Sequence, residues 1–255
     1  MDADILEYYE RGGEDTRLVD SVELLRTRVL LRRHLPEHAS VLDVGGGSGV
    51  HATWLAEEGH RVRLVDPVPR HVATARAKGI DAVEGDARAL AEPDASRDAV
   101  LLLGPLYHLL DRAERVRALT EAGRVSKDLV IAAAISRWSP MFEGMLRGLV
   151  DVPGFTPMLR EDLASGTRRG TQHHPFGFTT CYFHRPEELE TEVADAGLTL
   201  VDLLPVEGMA EWIPDLPGRL ADPDKRALLL ELLERTEREP ALLGATAHLL
   251  VIARR

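Results

Sequence analysis

The stretch Val41-Leu-Asp-Val-Gly-Gly-Gly-Ser-Gly49 decides the fold of this chain. An apolar run ends there in glycines, and apolar residues at helical spacing follow between Val50 and Glu58. This order is typical of a strand, a tight loop and a helix. Glycine permits the unusual backbone angles of such a loop and lets a ligand approach the main chain. Since the first turn of a helix also leaves N–H groups unpaired, the stretch predicts a ligand-binding site.

The spacing of the glycines separates two cofactor classes. A dinucleotide fold needs G-x-G-x-x-G, whereas Gly45, Gly47 and Gly49 form G-x-G-x-G. Val50 stands where the third dinucleotide glycine would be, which weakens the nicotinamide interpretation. Asp43 lies inside the strand, just before the loop, where it could accept hydrogen bonds from the loop or from an ammonium group.

Two further acidic residues follow the next two predicted strands. Asp66 comes before Pro67, where its carboxylate could bind the two hydroxyls of a ribose or cap the next helix. Asp86, within Gly85-Asp86-Ala87, could accept from an adenine amino group or cap a turn. The glycine loop and these two acids therefore mark three successive strand ends.

This series resembles the motif order of class I S-adenosylmethionine-dependent methyltransferases, over roughly residues 41–135. The segment from Leu103 to Leu109, Leu-Gly-Pro-Leu-Tyr-His-Leu, is similar to that of bacterial small-molecule enzymes of the ubiquinone-biosynthesis type. The resemblance implies methyl transfer from S-adenosylmethionine to a small-molecule acceptor, which leaves S-adenosylhomocysteine. The donor-binding residues predicted on this basis are Tyr9, Arg17, Asp43, Gly45, Gly46, Gly47, Gly49, Asp66, Pro67, Asp86, Ala87, Leu103 and Gly104.

The alternation of strands and helices predicts an α/β fold, a Rossmann-like doubly wound sheet that is mostly parallel. The resemblance adds a total of seven strands, the last of them antiparallel. We expect one domain over residues 1–255, with an N-terminal helical cap at 1–36 and a cofactor-binding core at 41–135. Residues 136–185 interrupt the alternation with scattered Gly and Pro, which predicts an inserted lid over the acceptor.

Composition limits the partners. The net charge of −11 argues against a nucleic-acid-binding face, because such binding comes mainly from Lys and Arg. The longest apolar run, residues 99–110, is too short and too interrupted to span a membrane. An acidic N-terminus without signal-peptide features and a single cysteine, Cys181, predict a cytoplasmic location. The sequence leaves open whether the chain forms a homodimer.

Methyl transfer from a sulfonium is an in-line displacement that depends mainly on positioning and desolvation. A base is needed only if the acceptor must lose a proton, and imidazole titrates in the suitable range. The predicted catalytic candidates are His108, His173 and His174, and His184 is a further histidine of this kind. Each of the four could equally be structural.

Aromatic residues around and within the predicted lid suit an acceptor pocket, although apolar residues at helical spacing also form plain core. The substrate-binding candidates are Tyr107, Trp138, Phe142, Phe176 and Phe178. The pair Cys181 and His184 has zinc-like spacing, but a second compact ligand pair is missing, so we predict no metal.

Other functions stay open at this point. A non-catalytic nucleotide-binding protein would keep Asp43, Asp66 and Asp86 but would have no acceptor cavity. An enzyme that uses the sulfonium for another reaction, such as cyclisation, would share the whole motif series. An RNA methyltransferase would need a basic surface, against which the net charge speaks.

Overall fold

A computed structural model describes residues 3–10, 18, 21–170 and 179–255 of the chain. The strands are β1 (Ser40–Val44), β2 (Arg61–Asp66), β3 (Asp81–Glu84), β4 (Arg97–Leu102), β5 (Ser126–Ser136), β6 (Thr167–Arg168), β7 (Cys181–His184), β8 (Thr199–Pro205) and β9 (His248–Arg254). The α-helices are α1 (Ala3–Glu10), α2 (Val22–His34), α3 (Val50–Glu57), α4 (Pro69–Ala77), α5 (Arg112–Val125), α6 (Ser139–Leu146), α7 (Phe155–Ser165), α8 (Pro186–Asp195), α9 (Leu216–Ala221) and α10 (Pro223–Thr236). Short 3-10 helices lie at Pro105–His108, Leu149–Asp151, Gly208–Trp212 and Pro240–Leu242.

The main sheet has the order β3-β2-β1-β4-β5-β9-β8. Its first five strands pair in parallel, whereas β9 runs antiparallel between β5 and β8. The predicted Rossmann-like sheet of seven strands with an antiparallel last strand is therefore confirmed. The two short strands β6 and β7 form an additional antiparallel pair, and β7 joins the end of β5 at Ile135 and Ser136.

Both faces of the sheet are covered, and the hydrophobic core lies on each side of it. All five residues of β1 are buried, which is typical of a parallel strand between two helical layers. Leu42 and Val44 pack against α5 and α8, and Val41 packs on the opposite face against α2 and α3. Burial of one such side chain contributes about 1.5–3 kcal/mol relative to exposure. This two-sided packing holds β1 at the centre of the sheet.

The position of β1 also places the site. The chain continues from β1 to β2 and β3 on one side, and then returns to β4 on the other side. In sheets of this kind the loops at the carboxyl ends of the strands separate at such a reversal and leave a crevice. The glycine loop, Asp86 and Leu103 follow strands at this edge, and Asp66 is the last residue of β2.

The predicted lid, residues 136–185, contains α6, α7, β6 and β7, and residues 171–178 lie outside the described part. The predicted cap, residues 1–36, contains α1 and α2. Their assignment as lid and cap stays a prediction. Among the helices of the described ranges, we find none that is both long enough and apolar enough to cross a membrane.

Candidate active site

The glycine loop has a shape that other residues would not adopt. Gly45, Gly47 and Gly49 have φ angles of 70°, 58° and 84°, in the left-handed region that favours glycine. A Cβ on Gly45 would lie 2.7 Å from Pro105 Cγ, and one on Gly46 would lie 2.5 Å from Asp43 Oδ2. The loop is thus packed closely between the end of β1 and the segment after β4.

A cleft opens beside this loop, at the carboxyl ends of β1 to β4. The predicted residues that line it are Tyr9, Asp43, Gly45, Gly46, Gly47, Asp66, Pro67, Asp86, Ala87, Leu103, Gly104, Tyr107 and His108. Gly49 does not line the cleft: a Cβ there would lie 3.3 Å from Ala75 Cβ, so it brings α3 close to α4. Predicted residues from five separate segments therefore meet at one cavity.

Asp66 is held by three donors. Its Oδ2 accepts a hydrogen bond from Gly47 N at 2.9 Å. Its Oδ1 accepts one from Val68 N at 2.9 Å and lies 3.1 Å from His71 Nδ1. The side chain is only 4% exposed. The carboxylate thus connects the glycine loop to the first turn of α4, and it faces the cleft in a defined orientation.

Asp43 is buried at the base of the same cleft, 1% exposed. Neither of its carboxylate oxygens has a hydrogen-bond partner within the described residues. Burial, reinforced by the nearby charge of Asp66, raises the pKa of Asp43 to about 7. Buried carboxylates are normally paired, so this one fits a site that receives a donor group from a ligand.

The ionisation of Asp43 makes the stability of the ligand-free protein depend on pH. Between about pH 4 and pH 7 the folded chain keeps a proton that the unfolded chain releases. We therefore expect the free energy of unfolding to fall across this range by about 1.4 kcal/mol per pH unit from this group. Urea unfolding of wild type and Asp43→Asn at pH 5 and pH 7 measures how the free energy of unfolding changes with pH in each protein. The substitution should remove that part of the slope, and equal slopes in both proteins would contradict the assignment.

Asp86 has an arginine partner that the sequence analysis did not identify. Arg88 donates from Nε to Oδ1 at 2.8 Å and from Nη2 to Oδ2 at 2.5 Å, and it also pairs with Glu114. These hydrogen bonds lower the pKa of Asp86 to about 2. Arg88 lines the cleft as well. An adenine amino group at Asp86 would therefore share the carboxylate with this guanidinium, and the adjacent position of Arg88 in the sequence was the available signal.

His108 lies at the other side of the cleft, between α1 and the segment before β7. Its Nε2 lies 2.7 Å from the Tyr9 hydroxyl, and its Nδ1 lies 3.3 Å from the carbonyl oxygen of Thr180. A carbonyl oxygen can only accept, so Nδ1 carries a proton, and in the neutral form of the ring Nε2 then accepts from the Tyr9 hydroxyl. The Tyr107 ring lies beside the imidazole, with ring centroids 4.7 Å apart.

Three more titratable residues of the cleft were not identified from the sequence: Glu23, His51 and His71. His51 lies in the first turn after the glycine loop, and its Nδ1 is enclosed without a hydrogen-bond partner among the described residues. Burial lowers the pKa of His51 to about 4, so its ring is neutral at physiological pH. His51 and His71 could have been found by their proximity to Gly45 and Asp66 in the chain. Glu23 comes from α2 and had no such signal.

Two predicted acceptor residues lie apart from this cleft. The Phe142 ring stacks on Trp212, with ring centroids 4.3 Å apart. The Trp138 ring lies 5.2 Å from the guanidinium of Arg185. Neither side chain lines the cleft. Five other predicted residues, Arg17, His173, His174, Phe176 and Phe178, lie outside the described residues.

His184 is fully buried away from the cleft. Its Nε2 lies 3.2 Å from Glu192 Oε2, and the Arg115 guanidinium donates to the same carboxylate at 2.7 Å and 2.9 Å. Burial lowers the pKa of His184. The network joins α5, α8 and β7, which gives this histidine a structural role. Cys181 is also buried, and burial raises the pKa of its thiol to about 12.

Another carboxylate–imidazole group lies near the cleft. Three side chains, those of Glu207, Glu23 and His248, each bring one atom that could bind a metal ion within 4.8 Å of the other two. Glu207 is fully buried, and its oxygens already accept from the His248 ring and main chain and from Thr246 Oγ1. These bonds anchor the start of β9 to the 3-10 helix at Gly208–Trp212.

Comparison with known proteins places this site in a family. A family model described as a methyltransferase domain matches residues 41–128, which include the glycine loop, Asp66, Asp86 and His108. The ubiquinone biosynthesis O-methyltransferase of Methylobacterium nodulans is 32% identical over 178 residues, 67% of this chain and 64% of that protein. The chain thus contains a methyltransferase domain of the class I S-adenosylmethionine-dependent type.

Other relatives agree with this assignment. The ubiquinone biosynthesis O-methyltransferase of Methylocella silvestris is 35% identical over 130 residues, 48% of this chain and 49% of that protein. The chain thus matches about half to two thirds of the length of these curated relatives. A solved methyltransferase from Methanosarcina mazei shares the fold with a TM-score of 0.61 at 15% identity, covering 89% of this chain and 96% of that one.

Proposed function

We propose that this chain transfers a methyl group from S-adenosylmethionine to a hydroxyl group of a small molecule and leaves S-adenosylhomocysteine. The observation that carries the proposal is the hydrogen-bond geometry of His108 at the edge of the cleft. Its Nδ1 lies 3.3 Å from the Thr180 carbonyl oxygen, and its Nε2 lies 2.7 Å from the Tyr9 hydroxyl, from which it can accept a hydrogen bond. A neutral imidazole whose Nε2 accepts from a hydroxyl group is arranged as a general base when the hydroxyl of an acceptor takes the place of the Tyr9 hydroxyl.

The donor would occupy the cleft along the carboxyl ends of β1 to β3. Gly47 presents main chain with open space on its Cα, so a ligand could approach it closely. Asp66 would bind the ribose hydroxyls, and Asp86 with the main chain of Ala87 would bind the adenine. The unpartnered carboxylate of Asp43 supports a ligand with hydrogen-bond donors at this point. Gly45, Gly46, Pro67, Leu103 and Gly104 would form the walls.

Bound S-adenosylmethionine supplies a methyl group that its sulfonium charge already activates. His108 Nε2 would take the proton of the acceptor hydroxyl as its oxygen bonds to that methyl carbon and the carbon–sulfur bond breaks. The imidazolium so formed would keep its Nδ1 hydrogen bond to Thr180, which favours the charged state. Closure over the cleft would exclude water and align the reacting atoms.

Fewer contacts of the described residues support the proposed acceptor site. Tyr107, beside His108, is the candidate in the described chain that borders the cleft. Trp138, Phe142, Phe176 and Phe178 stay predictions for the acceptor, and His173 and His174 stay alternative bases. The activity for which the two curated relatives are named, O-methylation, supports a hydroxyl acceptor. A nucleic-acid acceptor is the weaker alternative because the net charge is −11. The cytoplasmic location and the homodimer remain predictions.

The test is a matched set of acceptors. Purified protein is incubated with S-adenosylmethionine and a panel of small phenols, each beside its fully O-methylated ether and its amino analogue; catechol, its dimethyl ether and 1,2-diaminobenzene form one such set. We expect S-adenosylhomocysteine and a methylated product from phenols only, measured by mass spectrometry. Transfer to the amines but to none of the phenols would contradict an oxygen acceptor. If the folded protein does not bind S-adenosylmethionine, the proposal that this compound is the methyl donor is contradicted.

A further inference from the structure

His71 is a buried histidine next to the carboxylate that faces the donor cleft. It lies in the first turns of α4, is 5% exposed, and borders the cleft. Its Nδ1 lies 3.1 Å from Asp66 Oδ1. The Tyr9 ring meets the imidazole in an edge-to-face arrangement, with ring centroids 5.3 Å apart and planes at 72°. The ring is therefore held between α1 and Asp66.

The hydrogen bonds at Asp66 divide its two oxygens. Oδ1 receives Val68 N and His71 Nδ1, both from the start of α4. A carboxylate oxygen can only accept, so His71 Nδ1 carries the proton of this hydrogen bond. Oδ2 receives Gly47 N and is the oxygen on the side of the glycine loop. Two donors on Oδ1 prevent rotation of the carboxylate and keep Oδ2 directed to the loop side of the cleft.

Helix capping alone does not account for His71. The bond from Val68 N to Oδ1 spans two residues and already provides the local turn that an aspartate makes at a helix start. His71 adds a second, charge-assisted bond to the same oxygen, and such bonds are about twice as strong as neutral ones. The added constraint acts on the orientation of the carboxylate, which matters most where a ligand must meet it.

We propose that His71 is a positioning residue for the donor: it fixes Asp66 so that the carboxylate meets the ribose hydroxyls of S-adenosylmethionine. This inference rests on the proposed ribose contact of Asp66. It predicts that His71 contributes to discrimination between ligands with and without those hydroxyls, whereas a residue that only stabilises α4 would change the stability of the protein and leave that discrimination intact.

The experiment compares two ligands by isothermal titration: S-adenosylhomocysteine and its analogue with a 2′,3′-dideoxyribose. In wild type, two charge-assisted hydrogen bonds should favour the natural ligand by about a hundredfold. We expect His71→Leu to reduce this ratio to about tenfold or less. His71→Asn, whose amide nitrogen can replace Nδ1 as a donor, should restore most of it. Circular dichroism and thermal unfolding establish that each variant is folded.

Two further variants separate the possible results. His60→Leu removes a histidine that accepts from Ala39 N at the amino end of β2, outside the cleft, and should keep the wild-type ratio. Asp66→Asn should abolish the discrimination. If folded His71→Leu keeps the wild-type preference for S-adenosylhomocysteine and Asp66→Asn loses it, the role of His71 is overturned and the ribose contact of Asp66 stands. A wild-type ratio in Asp66→Asn would overturn the ribose contact itself, and with it both proposals for this end of the cleft.

Discussion

We expect a Gly45→Ala variant to bind S-adenosylhomocysteine about a hundredfold more weakly than wild type, or not measurably. Gly45 has a φ angle of 70°, which an alanine adopts only at a cost of about 1 kcal/mol. Its new Cβ would lie 2.7 Å and 2.8 Å from two ring carbons of Pro105. Pro105 begins the 3-10 helix that carries Tyr107 and His108, so relief of the clash would displace both the glycine loop and the opposite wall of the cleft.

Gly79→Ala is the matched control for this change. Gly79 has a φ angle of 84°, but a Cβ there would have no atom within 4 Å, and the residue does not line the cleft. This variant should lose about 1 kcal/mol of stability through backbone strain and keep normal ligand binding. Calorimetric titration and urea unfolding of both variants make the comparison. Binding by Gly45→Ala within about threefold of wild type would show that the loop tolerates a side chain.

The second large effect concerns catalysis. With an acceptor found in the phenol panel, His108→Gln should lower kcat by about 10²–10⁴, the usual contribution of a general base. Glutamine keeps hydrogen-bonding capacity at this position but cannot take the proton of the acceptor. The dissociation constant for S-adenosylhomocysteine should change little, because in the proposed arrangement His108 contacts the acceptor, whereas Asp66 and Asp86 contact the donor.

Single-turnover rates and ligand titration measure the two quantities separately. His60→Gln serves as the control, since this histidine also makes a main-chain hydrogen bond but lies outside the cleft; its kcat should equal that of wild type. If His108→Gln keeps a kcat within about threefold of wild type, His108 is not the base. In that case the predicted alternatives His173 and His174 would be the next histidines to replace.

Much of the donor side was predictable because its signals are local in the chain. Glycines directly after a buried strand require particular φ angles, and acids directly after the next strands lie at the same edge of a parallel sheet. The sequence alone could thus predict that Asp43, Asp66 and Asp86 lie at one edge of the sheet. The grouping holds in the cleft, where all three are found.

The state of these carboxylates was not predictable, since it depends on neighbours and burial. Asp43 has no partner within the described chain and a pKa of about 7, whereas Asp86 is paired with Arg88 and has a pKa of about 2. A sequence presents the two as equivalent acids. The acceptor candidates on α6 show the same limit, because helical spacing identifies an apolar face but not the surface that it meets; Phe142 meets Trp212.

The sequence by itself determined the α/β class, the glycine loop and the carboxylates at successive strand ends, because periodicity and backbone requirements act between near neighbours. Only the tertiary structure decided the insertion of β9 between β5 and β8 and the contact of Tyr9 with His108 across 99 residues. It also decided that His71 faces Asp66. Such contacts follow from how packed layers bring distant segments together, and pairing at that range leaves no periodic signal in the chain.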